Sequence, residues 1–431
     1  MRRISSFSRR HFLTSSLAAA GGIFAAPQIV RAQTLGNAAK TAANSRIGMG
    51  FIGIGLISDG HLRTFAAMKE CQPIAVCDVR ASHLQQGVNT LDGAGFHDIK
   101  ATANYEEIIA NPAIDAVCII TPDHWHAAMA IAAMKAGKDV FVEKPISLTV
   151  EEGKAMIEAE KKYGRIVQVG SQQRSSTHFR IAANLVRNGL IGEVKEVYCQ
   201  LGEFPQPPEH EEIKRVPDGF DYDRWLGPAP FHEYSDHRVL GNYGGGWRCY
   251  WDYGGRKFGD IGAHHYDIVQ WALGRDDTGP VEFIPLGYEG AEHHHYRYAD
   301  GITVWRDKKP DHDHMIRFIG TEGEVHVSRG RIASLPEGLV RHQFKDDDVL
   351  VQESNDHRKN FVDSILSREP TICPANVGHR SATICHLAAI AQRLERPFRW
   401  DPVAEQVTDD AEAMAMQDRT RRDGYALPEI S

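Results

Sequence analysis

Residues 46–58 read Arg-Ile-Gly-Met-Gly-Phe-Ile-Gly-Ile-Gly-Leu-Ile-Ser, an apolar run that passes through Gly53-Ile54-Gly55 into a helical pattern. A strand that turns through Gly-x-Gly into a helix is the context a dinucleotide fingerprint needs. Gly53 permits the tight turn and Gly55 lets backbone approach a pyrophosphate. The N–H groups of the opening helix, with Leu56 and Ile57 at its start, meet the charge. Ser58 stands where the pattern has a third Gly or Ala. That leaves two readings, a wider helix–strand spacing or a hydroxyl that itself touches a phosphate.

Outward from this turn, short apolar runs alternate with helical periods. Strands are expected near 46–53, 73–78, 114–120, 138–142 and 165–169, and helices near 57–69, 80–91, 124–136 and 148–163. The strand cores (AVC, AVCII, VFV) are almost wholly apolar, as a parallel sheet covered on both faces requires. This predicts an α/β N-terminal Rossmann domain, a doubly wound parallel sheet, over residues 46–169. Asp78 lies 25 residues after Gly53, just past the apolar IAVC. An acid there accepts hydrogen bonds from ribose hydroxyls and repels a 2′-phosphate, which favours NAD over NADP. Arg80 keeps NADP open, because a guanidinium pairs with phosphate.

After Gly170 the rhythm changes. A helix near 177–189 leads into the alternating VKEVYCQLG and then a Gly- and aromatic-rich stretch from 203 to 259. HYRYADGITVWRD reads as a hairpin turning at Asp300-Gly301, and MIRFIGTEGEVHVSRGRI as a second hairpin. Helices are expected at 262–273, 355–367 and 378–395. The expectation is an α+β domain with a largely antiparallel open sheet over 170–402, followed by a C-terminal tail at 403–431.

The first 32 residues read as an address. Ser8-Arg9-Arg10-His11-Phe12-Leu13 matches the twin-arginine export pattern, Leu13 to Ala26 is too short to span a bilayer, and Val30-Arg31-Ala32 offers a cleavage site. Residues 33–45 read as a linker. The expectation is a periplasmic protein exported already folded, with no membrane association after cleavage. In 431 residues with a formal charge of -8 there is no sustained basic block, so nucleic acid is not an expected partner. Seven cysteines without C-x-x-C spacing argue against a disulfide framework or a zinc knuckle.

Three segments carry a family resemblance. Thr121-Pro122-Asp123-His124-Trp125-His126, Glu143-Lys144-Pro145, and the run Gly254 to Asp267 with Asp260-x-x-x-His264 at its core resemble the signatures of the Gfo/Idh/MocA oxidoreductases. The resemblance extends from about residue 46 to 402. It implies NAD(P)-dependent oxidation of a sugar or sugar-derivative hydroxyl, cofactor contacts from Thr121, Pro122, His126, Glu143 and Lys144, and chemistry shared by Lys144, Asp260 and His264. Thr121 and Lys144 follow strands, at the end of an open α/β sheet where ligands bind. A cation there lowers the cost of an alkoxide. Asp260 and His264, four apart, would share one helical face. His264 is assigned as general base or acid, Asp260 as its orienting partner, and Lys144 as electrostatic stabiliser and proton relay.

Gln173 and Arg174, with Gln172, are candidates for sugar hydroxyls, as is His265. Trp251, with Trp247, Tyr250 and Tyr253, offers stacking faces. His379 has no assignable role. His293-His294-His295 and His312-Asp313-His314 invite a metal, but neighbouring strand residues point to opposite faces, so no metal is expected. An exported enzyme meets no pool of free nicotinamide cofactor and has to regenerate its own within a turnover. Oxidoreduction between two sugars meets that condition, and so does glycoside cleavage through transient ring oxidation. A sugar-binding protein without turnover is the third reading. The resemblance also implies a homo-oligomer.

Overall fold

A computed structural model describes residues 46–308 and 314–431. The expected export signal and linker, together with His312 and Asp313, lie outside the described residues.

The apolar run at the start becomes β1 (Ile47–Ile52), with all six residues buried. It pairs in parallel with β2 (Cys71–Cys77) on one side and β4 (Ala116–Ile119) on the other. With β3 (Lys100–Thr102), β5 (Asp139–Val142) and β6 (Val167–Val169), these form a six-stranded parallel sheet in the order β3-β2-β1-β4-β5-β6. Four of the connecting helices are where periodicity put them: α1 (Ser58–Ala67), α2 (Ala81–Gly93), α4 (His126–Lys135) and α5 (Val150–Tyr163). The short β3 and α3 (Tyr105–Ala110) were not expected, because β3 is a largely exposed edge strand of three residues with no apolar run. α5 begins on a cap: the Glu152 amide donates to Thr149 Oγ1 at 3.2 Å, while the Glu152 carboxylate accepts from the Leu148 amide at 2.9 Å.

Strand order reverses between β1 and β4, and that topological switch opens a crevice at the carboxyl ends of the strands. Gly53 sits at its floor with φ 91°. A Cβ there would lie 2.8 Å from the Ile120 carbonyl and the Thr121 amide, so the close approach of two strand ends requires glycine.

The second half is built on a nine-stranded sheet in the order Arg331–Leu335, Glu324–Ser328, Ile316–Gly320, Val194–Cys199, Thr303–Arg306, His295–Arg297, Glu282–Ile284, Phe398–Asp401, Gln406–Val407. Both expected hairpins form, the first turning at Gly301 with φ 90°. The pairing is antiparallel except between Thr303–Arg306 and Val194–Cys199, which run parallel. The helices Ala263–Leu273 and Ala375–Leu394 pack against one another and belong to the main buried core.

Residues 403–431 are not a loose tail. Gln406–Val407 extends the sheet. Arg419 and Arg421 close on the buried Glu152 carboxylate at 2.9 and 3.1 Å, Arg422 donates to Asp223 at 2.6 Å, and Tyr425 meets the edge of Trp125. The distant terminus is thereby fastened to α5 and to the loop before α4.

Arg174 is the anchor of the second half. Its guanidinium, 1% exposed, donates to both oxygens of the fully buried Asp267 at 2.8–3.0 Å and to Asp276 at 2.7 and 3.0 Å. Ser381 Oγ adds a hydrogen bond to Asp267 at 2.8 Å. The cluster ties the segment after β6 to both core helices, engages all three guanidinium nitrogens and leaves Arg174 lining neither the cleft nor the cavity beside it, contrary to its expected role at substrate. Removing one partner of a buried ion pair strands the other charge, so Arg174→Ala is expected to lower unfolding free energy by about 3–5 kcal/mol in a denaturant titration.

Candidate active site

The crevice at the switch point is a cleft of about 640 Å³ whose walls include Gly53, Gly55, Asp78, Thr121 and Lys144. Gly55 differs from Gly53 in a telling way: a Cβ there would meet nothing within 4 Å. The protein's own packing therefore does not require glycine at 55, and what the missing side chain keeps clear is cleft. Leu56, half exposed, and Ile57 continue the lining. Ser58 spends its one O–H proton within the turn. Its fully buried hydroxyl donates to the Gly55 carbonyl at 2.7 Å and braces the turn from behind.

Asp78 is locked at the cleft wall. Its Oδ2 accepts from the Ile54 amide at 2.7 Å and its Oδ1 from the Arg80 amide at 2.8 Å, and a carboxylate so held keeps lone pairs for ribose hydroxyls. Arg80 lies over the Phe220 ring at 3.9 Å. The buried Thr121 hydroxyl has no partner at all, although Thr121 and Pro122 both line the cleft. A buried unpaired hydroxyl on a cleft wall asks for a polar ligand atom. The open Gly55, the ready acceptor Asp78 and the orphaned Thr121 Oγ1 together fit a dinucleotide.

A second cavity of about 260 Å³ lies beyond, and Lys144, Glu143, Asp260, Arg248 and Ile57 line both. Lys144 Nζ donates to the Asp260 carbonyl at 2.9 Å and to Asp260 Oδ1 at 3.0 Å, with Arg248 Nε 3.5 Å from the same oxygen. Burial raises the proton affinity of Asp260, but the Lys144 and Arg248 charges outweigh it and hold the carboxyl below its usual range. Glu143 is buried too, yet a 3.0 Å hydrogen bond from His61 and the nearby charge of Lys144 hold its carboxyl below the usual range. His264 faces the second cavity. Burial first, then the charges of Lys144 and Arg329, push its proton affinity far down, so the ring is neutral, and Nδ1 has no partner. Asp123, on the cleft wall, is pushed up to about 6 by burial.

Asp260 and His264 are not one regular α-turn apart. Phe258–Gly262 forms a wider π-turn that runs into the Ala263–Leu273 helix. Asp260 consequently orients Lys144, and His264 enters the same cavity independently. Four expected contacts lie elsewhere. His126 is fully buried, its ring nitrogens 2.7 Å from the Pro145 carbonyl and 2.9 Å from the Thr121 carbonyl, so it clasps the two cleft loops together and lines neither cavity. Gln173 is buried behind the site, donating to the His264 carbonyl and accepting from Arg329 Nε, each at 3.3 Å. His265 is buried, with its pKa lowered to about 3 by burial, and lines neither cavity. Trp251 sits between the guanidiniums of Arg256 and Arg393.

Of the other aromatics, Trp247 faces the cleft, whereas Tyr250 and Tyr253 join Tyr222 and Trp225 in a small local core. His379 is buried against α5 and paired with Glu405 at 2.6 Å. His294 accepts from the Leu286 amide and His295 packs at a tilt against Trp305, and no group of three metal-ligating side chains occurs among the described residues. Arg248, Arg329, Arg358 and His61 were not anticipated in the site. Only Arg248 had a local signal, its place in the aromatic and glycine-rich stretch.

Two family models match the chain. "Oxidoreductase family, NAD-binding Rossmann fold" covers residues 47–171, and "Oxidoreductase family, C-terminal alpha/beta domain" covers 206–427. The uncharacterized oxidoreductase YrbE of Bacillus subtilis is 29% identical over 359 residues, 79% of this chain and 92% of its own. The scyllo-inositol 2-dehydrogenase (NAD(+)) of the same species is 29% identical over 55% of this chain and 59% of its own length. The alignment with the inositol 2-dehydrogenase of Salmonella typhimurium, 31% identical, covers 38% of this chain and about half of that protein (48%). Among solved structures, levoglucosan dehydrogenase in complex with NADH and levoglucosan shares the fold at TM-score 0.57 and 18% identity, covering 82% of this chain and 99% of that one. With both halves matched by family models, the chain belongs to the Gfo/Idh/MocA oxidoreductase family, with NAD the cofactor of its N-terminal domain.

Proposed function

We propose that the protein oxidises a hydroxyl-bearing carbon of a sugar or sugar derivative and keeps its nicotinamide cofactor bound between turnovers. The observation that carries this reading is the position of Lys144, which opens onto the dinucleotide cleft and the second cavity alike. Bound NAD supplies the hydride acceptor. An ammonium group has three donors, and two of those on Lys144 go to Asp260, so one is left for a substrate oxygen. Aimed at the oxygen that gains negative charge, it stabilises the alkoxide. Asp260 fixes its direction. His264, on the cavity wall with a ring nitrogen that has no partner, takes the hydroxyl proton as it leaves the substrate oxygen. The dehydrogenase names of the relatives support a polyol or sugar substrate.

Export by the twin-arginine route is supported by Ser8 to Leu13 and gives tight retention of the cofactor its purpose. Mass spectrometry of what the purified protein releases on denaturation is expected to show NAD, held by Asp78 and the Gly53–Gly55 turn; release of NADP alone would remove the role given to Asp78.

Purified protein incubated with free sugars, polyols and aryl glycosides, followed by nicotinamide absorbance, tests the activity. Reduction of bound NAD that a second carbonyl compound discharges is the expected result. Aglycone release without net reduction would make the protein a glycoside hydrolase, and silence with measurable sugar affinity a binding protein. Lys144→Ala is expected to lower kcat about 10²–10³-fold, the range for one preorganised donor at a developing oxyanion; unchanged turnover would refute the assignment.

Asp123 gives a stability prediction. An acid whose folded-state pKa stands at about 6, against an ordinary 3.8, costs the fold nothing at low pH and progressively more as pH rises between those values. Asp123→Asn is therefore expected to be more stable than the parent at pH 7, on the order of 2–3 kcal/mol, with the gain vanishing near pH 4 in pH-dependent urea unfolding.

A further inference from the structure

The second cavity holds more positive charge than its own carboxylates answer. Its walls carry four cations, Lys144, Arg248, Arg329 and Arg358, against two carboxylates, Glu143 and Asp260. The carboxylates are already spoken for: Asp260 faces Lys144 and Arg248, and Glu143 faces His61 and the Lys144 amide. Arg329 and Arg358 have no carboxylate partner among the described residues. Each is nevertheless held in place through Nε by a neutral acceptor. Arg329 Nε donates to Gln173 Oε1 at 3.3 Å, and the Gln173 amide is itself fixed by the His264 carbonyl. Arg358 Nε donates to His61 Nδ1 at 3.1 Å. That bond makes Nδ1 the acceptor, so His61 Nε2 carries the proton donated to Glu143.

Two guanidiniums steadied at Nε and facing one small cavity are set out for an anion. We propose that the substrate is an acidic sugar, a monosaccharide derivative bearing a carboxylate, whose acid group is received by Arg329 at the cavity rim and Arg358 at its wall while the hydroxyl to be oxidised meets Lys144 and His264. The proposal rests on the reading of the site as a sugar oxidoreductase. The planar fork of a guanidinium matches a carboxylate in two parallel hydrogen bonds, and a cavity of about 260 Å³ suits one ring rather than a nucleotide-linked sugar. Burial does most to depress the proton affinity of His264, and the charges of Lys144 and then Arg329 add to it.

Calorimetric binding to the purified, cofactor-loaded protein tests this without relying on turnover, so a failure of sugar oxidation would leave the preference readable. The probes are a panel of uronic and aldonic acids, the corresponding neutral sugars and the corresponding sugar phosphates. At least one acid is expected to bind about 10-fold or more tightly than its neutral counterpart, with the advantage shrinking as salt is raised. Arg329→Gln and Arg358→Gln are each expected to remove most of that advantage while the released cofactor stays the same, and Arg329→Lys to restore part of it. In turnover, the loss should fall on KM more than on kcat. Equal or tighter binding of the neutral sugars, tighter binding of the phosphates, no binding by any acid in the panel, or an acid preference that survives both glutamine substitutions would each overturn the proposal. Should a variant fail to fold, the parent's acid-to-neutral ratio and its salt dependence still decide the matter.

Discussion

The pairing of Lys144 with Asp260 is the contact on which the site depends. Lys144 follows β5 in the parallel sheet and Asp260 lies in the π-turn that feeds the Ala263–Leu273 helix, so one ion pair joins the NAD-binding half to the half built on the nine-stranded sheet. Both side chains are only about one-seventh exposed, at 14% and 13%. A charge so far out of water has to be paired, and the pairing here is made with directed hydrogen bonds rather than loose attraction. The lysine is left with one free donor in a fixed direction. That is the condition for it to act on an oxygen as charge develops there, with no reorganisation needed at that moment.

Much of the surrounding structure keeps this contact in place. His126 spans the Thr121 and Pro145 carbonyls, so the loops after β4 and β5 cannot separate without breaking its hydrogen bonds. Glu143, adjacent to the lysine, is held by His61, which Arg358 holds in turn. On the other side, Arg174 secures the helix that carries His264, and the C-terminal arginines grip Glu152 on α5. The contribution of these contacts is directional. They fix which way loops and helices face, and Lys144, Asp260 and His264 inherit that precision.

The first domain was legible because its signals are local. Apolar strand runs, helical periods and a Gly-x-Gly turn each occupy a few consecutive residues, and burial on both faces of a parallel sheet leaves no choice of pattern. β3 escaped notice for the same reason, since an exposed three-residue edge strand has no such signature. In the second domain the hairpins and long helices were readable, but the parallel pairing of Thr303–Arg306 with Val194–Cys199 joins strands over a hundred residues apart, and no local pattern announces it.

For the site, the residue types on offer could be read along the chain: a turn with a spare glycine at 55, an acid at 78, a lysine at 144, an aspartate and a histidine at 260 and 264. Which partner each of them meets came from folding. Arg174 looked free for a sugar and is consumed by Asp267, His126 looked like a cofactor contact and is a clasp, and Asp260 serves the lysine rather than the neighbouring histidine. Arg329 and Arg358, which no motif marked, are brought to the cavity by a strand turn and a helix far along the chain. The physical reason is that a charged side chain's role is set by whether another buried charge reaches it first, and that partner is chosen by the fold, not by the spacing of residues along the chain.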